Sequence, residues 1–64
     1  MGKIIGYLKD RNDQVYKLEF VYGGILHADT YRILDKRNET ITERKSKKEA
    51  IRALEAKVGP VRED

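Results

Sequence analysis

SKKEAIRALEAKVGP, residues 46–60, is the one stretch of this chain that reads as a complete helix, and it comes after everything else. Ser46, Lys47, Lys48 and Glu49 match the capping box. There the serine hydroxyl accepts from the Glu49 amide, and the glutamate reaches back to the cap. Ala50, Ile51, Leu54 and Val58, with Ala53 beside them, recur at helical spacing and form one apolar stripe. Lys48, Arg52, Glu55 and Lys57 fall on the polar side. Gly59 suits the left-handed position that closes a helix, and Pro60 cannot continue one. A lone striped helix must bury its stripe against another element of the chain, and the residues before it supply strands.

Residues 14–22, QVYKLEFVY, alternate with period two. Tyr16, Leu18, Phe20 and Tyr22 share one face, and Val15, Lys17, Glu19 and Val21 share the other. Residues 3–8 form a shorter apolar run, with Ile4, Gly6 and Leu8 on one side and Ile5 and Tyr7 opposite. The polar break at 9–13 joins these two segments into a hairpin. Gly23-Gly24 either makes a tight hairpin turn or marks a bend where the chain leaves the sheet. A third strand is predicted within 25–34, best over Thr30 to Leu34, with Tyr31 and Ile33 facing one way and Thr30, Arg32 and Leu34 the other. Residues 35–39 form a second polar turn. Residues 40–44 are a short fourth strand with Ile41 inward. No internal repeat is visible. The expectation is one α+β domain over residues 1–60: a three- or four-stranded antiparallel sheet with one C-terminal helix packed on one face. Residues 61–64 are expected to be a frayed tail.

A chain of 64 residues buries only about 60% of its unfolded surface, so it is marginal alone. It has no cysteine, which removes disulfides and thiolate metal sites. Packing or self-association is left to stabilise it, so a homodimer is an expectation. No run approaches the roughly 18 apolar residues of a membrane span. The N-terminal segment lacks a signal-peptide core, and Gly6 stands where a myristoylation signal needs Ser or Thr. A cytoplasmic protein without membrane association is expected.

Catalytic constellations are missing. His27, the single histidine, has no cysteine to activate and reads as a polar strand or loop residue. Ser46, the single serine, is accounted for as a cap. Gly23-Gly24 lacks the strand–GxxxxGK–helix context of a phosphate loop. The sequence therefore predicts no enzyme, no cofactor and no metal.

Charge is more informative. Residues 1–35 carry five basic and five acidic side chains, residues 36–57 carry eight and four, and residues 58–64 carry one and two. The positive excess belongs to one region, which favours an anionic partner. Arg32, Lys36, Arg37, Arg44, Lys45, Lys47 and Lys48 are the candidate nucleic-acid-binding residues. A helix N-terminus adds free amides and a positive dipole end for a phosphate. Lys47 and Lys48 oppose that dipole, which points to a use other than helix stability. The four tyrosines, Tyr7, Tyr16, Tyr22 and Tyr31, are available to pack or to stack. The alternative partner is a protein or a second copy of the chain, held by the sheet face that the helix leaves open.

Residues 31–58, YRILDKRNETITERKSKKEAIRALEAKV, resemble the arm-type N-terminal DNA-binding domains of tyrosine recombinases. The resemblance lies in a small antiparallel sheet followed by a helix opening on a "TKKEA" type signature, here Ser46-Lys47-Lys48-Glu49-Ala50. The same stretch is similar to small bacterial ββα proteins of the YegP type. The first resemblance implies a sheet that enters the DNA major groove, basic contacts from that sheet, and a phage or mobile-element origin. Arg44-Lys45 replace the aromatic residue that the family carries just before the cap. These 64 residues hold no recombinase catalytic domain, so the resemblance implies a DNA-binding module used alone.

Overall fold

The computed structural model describes residues 2–64. The alternating segments become strands β1 (Gly2–Asp10), β2 (Val15–Val21), β3 (Thr30–Leu34) and β4 (Thr40–Arg44). Helix α1 (Lys47–Val58) follows, and then a fifth strand, β5 (Val61–Glu63). The sheet is antiparallel throughout, in the order β4-β3-β2-β1-β5. The helix therefore leaves one edge of the sheet and returns the chain to the other. Among the described residues, no helix is long and apolar enough to cross a membrane.

The tail is not frayed. Val61 pairs with Asp10, and Glu63 pairs with Leu8. The Val61 amide also donates to the Glu55 carboxylate at 3.1 Å, and Val61 packs against the core. Pro60 ends the helix as expected, but it redirects the chain to the free edge of β1. The sheet thus has five strands where the sequence suggested three or four.

The core is Leu8, Leu18, Ile33, Ala50 and Leu54, with Tyr16, Tyr31, Ile41, Ile51 and Val58 packed around it. Burying an apolar side chain of this size is worth about 1.5–3 kcal/mol, so these few residues carry most of the cohesion. Ser46 caps the helix through its hydroxyl, which accepts from the Glu49 amide at 3.1 Å. The reverse bond of the capping box is absent from the hydrogen bonds of the described residues. Gly59 has φ 86° and ψ −169°, a glycine-only conformation, and its amide closes the helix on the Glu55 carbonyl.

Two bulges alter the face assignment. In β1, Ile4 opposes Glu19 and Gly6 opposes Leu18, so Ile5 is an extra residue. Ile4 consequently joins Tyr7 on the open face, while Gly6 and Leu8 face the helix. Strict alternation placed Ile4 with Leu8. In β4, Leu34 opposes Thr40 and Ile33 opposes Thr42. The extra residue is Ile41, and both Ile41 and the buried Thr42 turn toward the core.

The two polar turns share one construction. The Asp10 carboxylate accepts from the Asn12 and Gln14 amides, and Asp35 does the same for Arg37 and Glu39. Asp13 and Asn38 occupy the same position with φ 61° and 64°. Each is a three-residue hairpin loop closed by a left-handed residue. A short repeat is thus present: Asp10-Arg11-Asn12-Asp13-Gln14 and Asp35-Lys36-Arg37-Asn38-Glu39. Asp10 alone is buried and also accepts from the Tyr16 hydroxyl at 3.2 Å. Burial by itself would push its carboxyl up. The amides of Gln14 and Asn12, the Tyr16 hydroxyl and the Arg11 charge together outweigh that and hold it below its ordinary value. Burial, with the Asp10 contact, pushes the Tyr16 phenol up.

Gly23-Gly24 does not form a two-residue turn. It begins the loop 22–29, where the chain leaves the sheet before returning as β3.

Candidate nucleic-acid interface

The seven basic residues picked from the sequence fall in three places. Arg32 lies mid-sheet on the open face, where the register sets Glu19, Arg32 and Glu43 directly side by side. Its guanidinium is 3.5 Å from the Glu19 carboxylate and 3.6 Å from that of Glu43. Thr30 donates a further hydrogen bond to Glu43. The other cations of this face also have partners: Lys9 pairs with Asp64, Arg62 pairs with Asp13, and Lys17 donates to the neutral Asn38 amide oxygen. On the face that the recombinase resemblance would place in a groove, every cation but Lys17 is thus held in an ion pair.

Lys36 and Arg37 sit in the β3–β4 turn, exposed, at one end of the sheet. Arg44, Lys45, Lys47 and Lys48 sit at the other end, where β4 hands over to α1. The five residues of β3 separate the two groups by roughly 16 Å, at about 3.3 Å per residue. One continuous basic surface does not form.

Lys47 has a structural use. Its ammonium lies 2.7 Å from the Glu63 carboxylate and ties the start of the helix to β5. This contact explains why a lysine is tolerated in the first helical turn. Arg44 is exposed, and its guanidinium donates to the Glu43 carbonyl at 2.8 Å. Lys45 and Lys48 are exposed, and Arg52 lies one turn beyond Lys48 on the same helix line. Among the described residues, Arg44, Lys45, Lys48 and Arg52 form no ion pair. Glu49 is the one acidic side chain of the helix's first turn. Arg52 was not among the sequence candidates, although its spacing of four from Lys48 marks it.

The loop 22–29 emerges at this same end. The last β2–β3 pair is Val21 with Thr30, one step from the pair of Tyr31 with Arg44. Asp29 accepts from the Gly23 amide at 2.9 Å, and Gly24 has φ 75°. A Cβ on Gly23 would stand 2.3 Å from the His27 and Ala28 carbonyl oxygens, so only glycine fits that turn. Held this way, the loop presents Tyr22, Ile25 and Leu26 at 70%, 100% and 87% exposure. His27 is exposed in the same loop, and Ser46 is occupied as the cap.

Compared with protein-family models, curated proteins and solved structures, the chain matches none.

Proposed function

We propose that this protein is a non-enzymatic nucleic-acid-binding module that docks through the end of the sheet where β4 meets α1. The observation that carries this reading is the contrast between two sets of cations. On the open face Arg32, Lys9 and Arg62 form ion pairs and Lys17 rests on a neutral amide, whereas among the described residues Arg44, Lys45, Lys48 and Arg52 are exposed and form no ion pair. Unmatched cations beside a helix N-terminus suit phosphates, which attract them without regard to sequence. Arg32 and Lys47 drop out of the contact set. Lys36 and Arg37, at the far end, add long-range attraction only. The sheet-in-groove mode implied by the recombinase resemblance is disfavoured, because every cation of that face but Lys17 is already held in an ion pair. A cytoplasmic location accords with such a partner.

A low-salt fluorescence titration against duplex DNA, single strands and RNA tests the reading. Weak binding to at least one is expected, because few phosphates are touched. Binding to none leaves the cluster as a solvated face.

A second reading has its own observation. Ile4, Tyr7 and Val15 stand 37–47% exposed on the open sheet face, an apolar content that suits a protein partner or a second copy of the chain. Sedimentation over a concentration series separates the two readings: self-association with no nucleic-acid binding favours this one.

A further inference from the structure

The loop that leaves the sheet at the Arg44 end of β4 is costly to display and specifically held. Isolated exposed apolar residues are ordinary on protein surfaces. Here Tyr22, Ile25 and Leu26 lie in one loop, and Ile25 buries none of its surface. The Gly23 turn has no room for any side chain, and the Asp29 carboxylate is turned inward onto the Gly23 amide. The tip therefore presents apolar surface, with the Asp29 carboxylate engaged, at the end of the sheet where β4 finishes with Arg44 and leads through Lys45 into α1.

We infer that the module selects single-stranded or unpaired nucleic acid, with Tyr22, Ile25 and Leu26 packing on bases while the cations hold the neighbouring phosphates. The inference rests on the nucleic-acid reading above and narrows its substrate class. A duplex hides its base faces in the stack and offers the protein mainly phosphates and groove edges. An unpaired strand exposes those faces beside its backbone. Aromatic and apolar surface next to cations is the combination that such a strand can fill on both counts. Tyrosine stacks on any base, so the preference is for strandedness and not for sequence. Cations alone would attract duplex and single strand alike.

The test is a pair of anisotropy titrations at matched low salt, with a labelled DNA of about 12 nucleotides, single-stranded and as its own duplex. Wild type should bind the single strand about tenfold more tightly, the equivalent of one stacked base. The variant Tyr22→Ser/Ile25→Ser/Leu26→Ser should lose that preference, and Leu26→Ser alone should lose part of it. These side chains are exposed, so a melting curve should confirm that the fold is kept. Equal wild-type affinity for the two forms overturns the inference, as does a preference that survives in the folded triple variant. Duplex binding without a preference sinks this inference alone, whereas binding of neither form sinks the underlying reading as well. Vesicles of phosphatidylserine and phosphatidylcholine provide the remaining arm. Loop-dependent vesicle binding without single-strand preference assigns the tip to a lipid surface and contradicts the inference.

Discussion

The Lys47 ammonium and the Glu63 carboxylate meet at 2.7 Å, joining the first turn of the helix to the last strand of the sheet. Both side chains are about half exposed, at 47% and 57%. Such a pair contributes about 0–1 kcal/mol to stability, but it removes a cation from the set that could meet a phosphate. Lys47→Gln should therefore change the salt dependence of nucleic-acid binding much less than Lys48→Gln. Glu63→Gln should release Lys47 and steepen that dependence. Equal effects of Lys47→Gln and Lys48→Gln would show that the pair does not hold in solution.

The helix and the fifth strand make a second, graded prediction. Leu54→Ala should cost about 2–5 kcal/mol, because it opens a cavity under a fully buried side chain. Ser46→Ala should cost about 1 kcal/mol through the lost cap. Removal of residues 61–64 should cost about 1–3 kcal/mol, because Val61 leaves the core and β1 regains an unpaired edge. Denaturant melts rank the three. A truncation without effect would contradict the tail's place in the sheet.

The paired turns allow an internal comparison. Asp10 and Asp35 accept the same two amides from the same positions, yet only Asp10 is buried and takes the Tyr16 hydroxyl. Asp10→Ala should lower the melting temperature more than Asp35→Ala. Equal shifts would mean that the turn alone, and not the buried contact, sets the effect.

The same carboxylate gives a pH dependence with a definite sign. The folded state holds Asp10 below its ordinary value of 3.8. Its contribution is complete above that ordinary value and is lost as the pH falls through the lower folded one. Tyr16, raised above its ordinary 10.0, contributes below that value and loses its contribution as the pH rises through the higher folded one. Melting temperatures followed from about pH 6 to pH 2 should fall less steeply in Asp10→Asn than in wild type. Parallel curves would remove Asp10 as the source.

Much of this architecture was legible because two periodicities carried it. Residues 14–22 alternate cleanly, and the helix has its cap, stripe and stop in order, so both formed where the pattern placed them. The bulges at Ile5 and Ile41 were not legible, because an extra residue leaves an apolar run looking continuous while it reverses one half of the strand. Val61-Arg62-Glu63 is too short and too charged to show a strand signal. It pairs because β1 is long enough to offer a free edge. For the basic cluster, sequence could locate the charge but not its partners. Cross-strand register put Glu19 and Glu43 on either side of Arg32, and chain return brought Glu63 to Lys47.

The central claim, phosphate binding at the β4–α1 end, is tested most directly by the salt dependence of duplex affinity. Each phosphate contact contributes about −0.9 to the slope of log K against log salt. Four cations, Arg44, Lys45, Lys48 and Arg52, should give wild type a slope of roughly −3 to −4. The variant Lys45→Gln/Lys48→Gln/Arg52→Gln should be shallower by about 0.9 per lost contact, with its stability within about 0.5 kcal/mol of wild type. A slope that the three substitutions leave unchanged would contradict the claim and place the binding elsewhere on the molecule.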